Sequence, residues 1–154
     1  MSGSIRAGAG APPVRRRAAR AADSATARVL VNGAADAAAL ARPVLLPEQE
    51  TFVVLCLTVR NALIGEPRVV AIGTVNGVEV HPRDVFRAAI AANAAGIVVL
   101  HNHPSGDPSP SVEDVELTRR LKACGDLIGI PVVDHVVVAT DRHVSIAELS
   151  GGKL

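Results

Sequence analysis

Apolar and polar positions divide the chain into segments of two kinds, and their order predicts the fold. Three apolar runs are nearly continuous and rich in β-branched residues, at 50–60, 97–103 and 130–140. Runs of this length and composition are typical of buried β-strands. Shorter runs predict strands at 28–33 and 68–77, and "VSIAEL" at 144–149 predicts a last short strand or a strand-to-helix edge.

Segments with helical patterns lie between these strands. Residues 34–46 predict a helix that breaks near its proline, because proline clashes with the preceding turn. Residues 81–96 predict a second helix, which begins with a proline in its first turn and ends at Gly96. Ser111 opens a third helix, which is expected to end within 125–129.

The alternation of strands and helices predicts an α/β domain built in layers. The runs at 50–60 and 68–77 are expected to pair as a β-hairpin, with a turn or bulge at the Asn-Gly pair of 74–77. An early hairpin makes the sheet mixed instead of wholly parallel. The unbroken apolar run at 97–103 predicts a central strand that is covered on both faces.

Composition narrows the classes of function. A chain of 154 residues with 49% hydrophobic and 20% charged positions suits one folded domain. No apolar run approaches the roughly 20 residues of a membrane-spanning helix. The two aromatic residues, Phe52 and Phe86, supply few stacking surfaces for single-stranded nucleic acid. Cys56 and Cys124 lie far apart in apolar segments, which predicts buried free thiols and a cytoplasmic location.

The charge is distributed unevenly along the chain. Residues 1–28 hold six Arg and one Asp, a net charge of +5, whereas residues 29–154 hold ten basic and fourteen acidic residues, a net charge of −4. Residues 1–27 are therefore expected to form a disordered basic tail, and residues 28–154 a single domain. The tail could attract nucleic-acid phosphates weakly, although a solvated tail is the simpler interpretation.

The stretch "HNHPSGDPSPSVED" at 101–114 carries the candidate chemistry. Residues two apart on a strand share a face, so His101 and His103 are expected to project together at the end of their strand. Asp114 follows in the first turn of the next helix. Two imidazole nitrogens and a carboxylate oxygen, with a fourth position open to water, form the ligand pattern of a catalytic zinc site.

The same residues also have a purely structural interpretation. Ser111 and Asp114 are spaced like a helix-capping box, in which the serine caps the helix and an acid occupies its first turn. His103 could be an ordinary loop histidine. Two histidines at the end of a buried strand are costly unless they have partners, which favours the metal site without excluding a capped helix.

The stretch at 101–114 resembles the JAMM motif, H-x-H-P-x6-S-x-x-D, of JAB/MPN metalloproteases, and "HNHPSGDP" is similar to the signature of bacterial RadC-like proteins. The resemblance extends in order over roughly residues 28–150. It includes "QETFVVLCL", "VHPRDVFRAAIAANAAGIVVLHNHPSGDP", "SVEDVELTRRLKACGDLIGIPVVDHVVV" and "VSIAE". RadC-like proteins usually carry a helix-hairpin-helix-like region ahead of this domain. Here a short basic tail stands in that place, so a DNA role attributed to such a region is not carried over to this sequence.

The resemblance implies an MPN (JAB)-like α/β fold, in which helices flank a curved mixed β-sheet. It implies one Zn²⁺ per chain, held by His101, His103 and Asp114. It also implies a glutamate ahead of the first long strand, which holds the reacting water. Glu50 in "QETF" is the match, and Glu48 is the nearby competitor.

The activity implied is hydrolysis of a peptide or isopeptide bond in a peptide or protein substrate. Ser111 Oγ is implied as the donor to the developing oxyanion. The sequence does not name the substrate or the oligomeric state.

Three other functions compete with a zinc hydrolase. One is a non-catalytic RadC-like module that binds a partner, in DNA repair or elsewhere, and keeps the metal for stability. The others are weaker. HNH nucleases spread their motif over a ββα unit, whereas these letters are contiguous, and a zinc nucleoside deaminase requires a P-C-x-x-C segment that this sequence lacks.

The remaining polar residues near the motif have structural interpretations. His81 is expected to cap or pack at a helix start. His135 is expected to be a hydrogen-bonded core residue or to support a metal ligand from behind. His143 is expected in an exposed turn, and Asn102 is expected to point away from the two motif histidines.

Overall fold

The computed structural model describes residues 28–73 and 79–153, which form one layered α/β unit. The predicted basic tail and the predicted Asn-Gly turn at 74–77 lie outside the described residues. The elements in chain order are α1 (Ala34–Ala41), a short 3₁₀ turn (Arg42–Val44), β1 (Thr51–Leu57), β2 (Arg68–Ile72), α2 (Pro82–Ala91), β3 (Gly96–Asn102), α3 (Val112–Ile128), β4 (Val132–Val138), β5 (His143–Ser145) and α4 (Ile146–Leu149).

The strands form a five-stranded mixed sheet in the order β2-β1-β3-β4-β5. β1 pairs antiparallel with both β2 and β3, β3 runs parallel to β4, and β5 returns antiparallel to β4. The mixed sheet and the β1–β2 hairpin are confirmed. β3 lies at the centre of the sheet, as its continuous apolar sequence predicts.

Alternate residues of the central strands pack into separate cores on the two faces of the sheet. Four alanines of α1 cover one face, where they meet Leu55 of β1 and Leu100 of β3. α2 and α3 cover the other face, where Phe86 and Leu121 meet Phe52. The result is a helix–sheet–helix arrangement in which β1 and β3 are buried on both sides.

α3 begins and ends where the sequence predicts. Ser111 Oγ accepts a hydrogen bond from Asp114 N, and Ser111 N donates to the Asp114 carboxylate, which completes a capping box. Gly129 ends the helix with a left-handed φ of 80°. Gly125 lets the helix approach the next strand closely, because a Cβ there would lie 2.6 Å from the Ile130 carbonyl oxygen.

One predicted strand and one predicted helix end are wrong, and β1 and β4 are shorter than their apolar runs. Residues 28–33 do not form a strand, because Leu30 makes only an isolated bridge to Ala62, within a segment that turns at Asn61 with a φ of 57°. Gly96 does not end α2. Asn93 adopts the left-handed conformation after the helix, with a φ of 53°, and Gly96 becomes the first residue of β3.

The two cysteines are free, with Cys56 buried in β1 and Cys124 only partly buried on α3. The second position therefore departs from the prediction of two buried thiols. Within residues 28–73 and 79–153, every helix is too short or too polar to cross a lipid bilayer.

Candidate metal centre

The end of β3 and the first turn of α3 bring three side chains together at one point. His101 Nε2 lies 3.1 Å from Asp114 Oδ1, and His103 Nε2 lies 3.3 Å from Asp114 Oδ2. The two Nε2 atoms are 3.0 Å apart. One ligand atom from each of the three residues lies within 4.8 Å of the others, so this cluster could hold a metal ion.

Strand alternation explains why the histidines meet. His101 belongs to the face of the sheet that α2 and α3 cover, and His103, one residue beyond β3, lies on the same side. Asn102 lies on the opposite side, as predicted, and its side chain bonds to the segment before β1. The His103 N–H donates to Val138 O, so β4 still holds the chain one residue past the strand.

The loop between the histidines and α3 is ordered by short-range hydrogen bonds. His103 Nδ1 lies 2.8 Å from Asp107 O. A carbonyl oxygen can only accept, so a neutral His103 carries its proton on Nδ1 and presents a lone pair on Nε2. The capping box then fixes the Asp114 carboxylate over the end of β3.

The charges in the cluster support one another. Burial alone would raise the pKa of Asp114, but hydrogen bonds with His101, His103 and the Ser111 N–H outweigh burial and hold that pKa far below its ordinary value. The hydrogen bond to Asp114 raises the pKa of His103 above its ordinary value, against the opposing effect of burial. Asp114 therefore stays anionic across the physiological range and attracts a cation.

The donor set suits zinc. Zinc in proteins takes imidazole nitrogens and carboxylate oxygens at about 2.0–2.2 Å, and a tetrahedral ion with such bonds separates its ligand atoms by about 3.3 Å. The three ligand-atom distances of 3.0, 3.1 and 3.3 Å match that separation. Nε2 of both imidazoles and the Asp114 carboxylate are directed at one point, where a cation would replace the protons through which the imidazoles contact the carboxylate.

The cluster opens into a cavity of about 550 Å³. Glu50 and Ser111 line this cavity together with the three cluster residues, while Glu79, His81, Glu113 and Arg120 contribute to its rim. Glu48 is exposed and does not line the cavity. The structure thus brings Glu50, and not its competitor, to the cluster.

Glu50 is half-buried immediately before β1. Burial raises the pKa of its carboxyl above the ordinary value, and nearby Asp114 adds to the rise, while His101 and His103 partly oppose it. Ser111 is exposed at the mouth of the cavity. Its Oγ accepts the Asp114 N–H at 3.1 Å, which leaves the hydroxyl proton available to another acceptor.

Two residues behind His101 complete the surroundings of the cluster. His135 Nε2 lies 2.8 Å from His101 Nδ1, and Thr118 Oγ1 lies 2.6 Å from His135 Nδ1. The Phe52 ring stacks on His101, with centroids 6.0 Å apart, and meets His135 edge-on at 5.5 Å. His135 therefore supports His101 from behind, in agreement with one of its two predicted roles.

Sequence reasoning did not single out Thr118. The available signal was a hydroxyl on the Asp114 side of α3, four residues further along the helix. His81 occupies the N-cap position of α2, but its side chain makes no capping bond there and lies 3.2 Å from Glu79 at the cavity rim. His143 is exposed, as predicted, but it is the first residue of β5 instead of a turn residue.

The amino-acid sequence matches one protein-family model and is similar to several curated proteins. The family model described as the RadC-like JAB domain matches residues 31–151. "UPF0758 protein SH1266" of Staphylococcus haemolyticus and "UPF0758 protein YsxA" of Bacillus subtilis are each 51% identical to the chain over 100 residues, which is 65% of this chain and 43% of each relative. A "UPF0758 protein" of Thermotoga maritima is 48% identical over 101 residues, 66% of this chain and 45% of that relative.

The chain spans less than half the length of these curated relatives. Their names state no activity, substrate or metal. The match therefore identifies the domain and its superfamily, while the chemistry of the site has to be argued from the residues themselves.

Proposed function

The chain belongs to the RadC-like JAB domain family, and from this premise we propose that it is a zinc-dependent metallohydrolase of JAMM type that cleaves a peptide or isopeptide bond. One observation carries the proposal. His101, His103 and Asp114 converge on a single point in the wall of a cavity that Glu50 and Ser111 also line. A binding site, a proton acceptor and a hydrogen-bond donor thus face the same space.

The three converging residues would hold the zinc ion, His101 and His103 through Nε2 and Asp114 through its carboxylate. When bound, zinc acts as a Lewis acid that lowers the pKa of water and polarises a carbonyl group. The low pKa of the Asp114 carboxyl keeps this ligand charged at neutral pH. His103 offers Nε2 because its Nδ1–H is committed to Asp107 O.

Glu50 would be the general base. It accepts the proton of the attacking water and delivers it to the nitrogen of the leaving amine. Its raised pKa suits both steps, because a carboxylate of ordinary pKa is a weaker base and holds the proton less readily for delivery. Its position at the start of β1, next to the end of β3, places it on the cavity wall beside the two histidines.

Ser111 would stabilise the oxyanion that develops on the scissile carbonyl. Its Oγ already accepts the Asp114 N–H, so the hydroxyl proton is free to point into the cavity. A single donor of this kind typically contributes about 10² to 10³ in rate. The same capping bond fixes the position of the donor.

The non-catalytic alternative fits the site less well. A structural zinc is normally closed by four protein ligands, often cysteines, whereas three ligands leave a position open. Both cysteines lie outside the set of residues that line the cavity.

The substrate proposed for the hydrolase is a peptide or protein. Nucleic acid is the weaker alternative, since it rests on the basic tail alone.

The test combines metal content with hydrolysis. The wild-type chain, a His101→Ala/His103→Ala variant and a Glu50→Gln variant are incubated with zinc, desalted and analysed for bound metal. We expect about one zinc per chain in the wild type and in Glu50→Gln, and none in the double variant. Libraries of quenched-fluorescent peptides and lysine isopeptides should then be cleaved by the wild type alone.

Wild-type protein without stoichiometric zinc would overturn the proposal. Stoichiometric zinc, with equal turnover by the wild type and Glu50→Gln, would overturn the assigned base. Zinc without turnover of any peptide or isopeptide in the libraries would favour the non-catalytic module.

A further inference from the structure

A chain of hydrogen bonds runs from one proposed ligand to another through residues that do not line the cavity. His101 Nδ1 lies 2.8 Å from His135 Nε2, and His135 Nδ1 lies 2.6 Å from Thr118 Oγ1. Thr118 Oγ1 donates in turn to the backbone oxygen of Asp114 at 2.7 Å. Since the Asp114 carboxylate also contacts His101, the chain of contacts closes on itself.

The protons in this series of hydrogen bonds can be assigned by starting from the Asp114 backbone oxygen, whose role as an acceptor is fixed. The Asp114 carbonyl can only accept, so it takes the single hydroxyl proton of Thr118. Thr118 Oγ1 must then accept from His135, which puts a proton on His135 Nδ1. His135 lies in the core between the Phe52 ring and α3, where burial disfavours a charged imidazole, so the neutral form is the relevant one. A neutral His135 with a proton on Nδ1 has a lone pair on Nε2.

His101 therefore donates from Nδ1 to His135 Nε2. A neutral His101 therefore carries its one proton on Nδ1 and has a lone pair on Nε2. Only the charged imidazole also has a proton on Nε2, which it donates to Asp114, and a metal ion would take the place of that proton. Thr118 and His135 are 1% and 0% exposed, so water cannot replace either partner.

We propose that Thr118 and His135 are positioning residues that hold His101 as the Nδ1–H tautomer, with Nε2 kept as a lone pair for the metal. The consequence for zinc affinity rests on the proposed function, whereas the tautomer is a property of the metal-free protein. The tautomer of His103 is fixed in the same way by a backbone carbonyl, whereas that of His101 depends on two side chains that can be substituted while all three proposed ligands are kept.

Thr118→Val tests this arrangement because valine matches threonine in shape and lacks the hydroxyl. His135 Nδ1 then loses its acceptor, which favours the other His135 tautomer, with a proton on Nε2. That proton faces His101 Nδ1 and drives the proton of His101 to Nε2, where it blocks the metal. Thr118→Ser keeps the hydroxyl and should behave as the wild type does.

The readouts are the ¹⁵N shifts of the imidazole nitrogens in metal-free protein at about pH 8.5, roughly two units above the pKa of a free histidine, and zinc affinity by competition with a chelator. We expect Nδ1–H at His101 in the wild type and in Thr118→Ser. In Thr118→Val we expect a population with Nε2–H and a loss of zinc affinity of about 10- to 100-fold. Thr58→Val removes a hydroxyl beyond the opposite end of β1, where Thr58 Oγ1 accepts from Ala62 N, and should lose stability without changing either readout.

Nε2–H at His101 in the metal-free wild type, or an unchanged tautomer and affinity in Thr118→Val, would overturn the inference. An equal loss of affinity in Thr118→Ser would also overturn it, because the serine retains the hydroxyl. If the wild type binds no zinc, the proposed function fails, and the tautomer measurement still decides the assignment of Thr118 and His135.

Discussion

Asn102 Oδ1 accepts a hydrogen bond from Thr51 N at 2.8 Å, and this bond ties the end of β3 to the start of β1. The Asn102 amide nitrogen also donates to Leu46 O and Gln49 O. One buried side chain therefore holds the whole segment that carries Glu50. The residue between the two motif histidines positions the proposed base from the opposite face of the sheet.

Asn102→Asp should displace Glu50 and leave the metal ligands in place. The carboxylate can still accept from Thr51 N, but it faces the carbonyl oxygens of Leu46 and Gln49 without a proton to donate. We expect a loss of stability of about 1–3 kcal/mol, because two partly buried carbonyls lose their donor and the new carboxylate is itself buried against them. Zinc content should stay near one per chain while turnover falls. Denaturant unfolding and metal analysis check the prediction, which wild-type turnover in this variant would contradict.

Glu50→Gln should abolish turnover and stabilise the metal-free fold at neutral pH. The folded state raises the pKa of Glu50, so it disfavours the ionised carboxylate. The stability from this group is complete below its unfolded pKa and is lost as the pH rises through the folded pKa. Glutamine removes that loss, so the variant should exceed the wild type at pH 7 and match it at about pH 4. Unfolding of metal-free protein at both pH values measures the difference.

Glu48→Gln is the matched control for Glu50→Gln. Glu48 is exposed and does not line the cavity. Its substitution should leave turnover unchanged. A larger effect at Glu48 than at Glu50 would reverse the assignment of the base.

Ser111→Gly separates the two roles of this serine. Glycine is tolerated at an N-cap and costs only a few tenths of a kcal/mol relative to serine, whereas alanine costs about 1 kcal/mol. Ser111→Gly and Ser111→Ala both lose the proposed donor. In both variants kcat should therefore fall by about 10² to 10³, with zinc content unchanged. If kcat instead follows helix stability, with Ser111→Gly close to wild type, the donor role is wrong.

Zinc should stabilise the folded chain by mass action. At a free zinc concentration of 100 times Kd, the gain is about 2.7 kcal/mol, seen as a higher Tm. The His101→Ala/His103→Ala variant should show no gain, and Mg²⁺ should give little, because it prefers octahedral oxygen ligands. An equal shift in the double variant would mean that zinc binds elsewhere on the protein.

Local sequence patterns were sufficient for most of the fold and for the members of the cluster. A pattern of a few consecutive residues was enough to predict the capping serine, the alternating histidines and the apolar central strand. The failures depend on distant partners. Residues 28–33 form no strand because the segment opposite them turns away at Asn61, and Gly96 was misassigned because Asn93 ends α2 first.

The hydrogen bonds of His135 and Thr118 that support His101 could not be predicted from local patterns. β3 and β4 run parallel with Val99 opposite His135, a pairing between residues 36 positions apart that no local period encodes. Thr118 reaches His135 only because α3 packs over that face of the sheet. The members of the cluster can thus be identified from the sequence, whereas the residues that orient them are identified only from the tertiary structure.

The Phe52 ring, stacked on His101 and edge-on to His135, offers an optical view of the site. The chain contains no tryptophan and no tyrosine, so its near-ultraviolet absorption and fluorescence are weak. Phe52→Trp would introduce a single strong emitter against the imidazole of a proposed ligand, at an overpacking cost of about 1–3 kcal/mol. Its emission would respond to charge at His101. Binding of a metal ion to the cluster could therefore be followed by tryptophan fluorescence before any substrate is known.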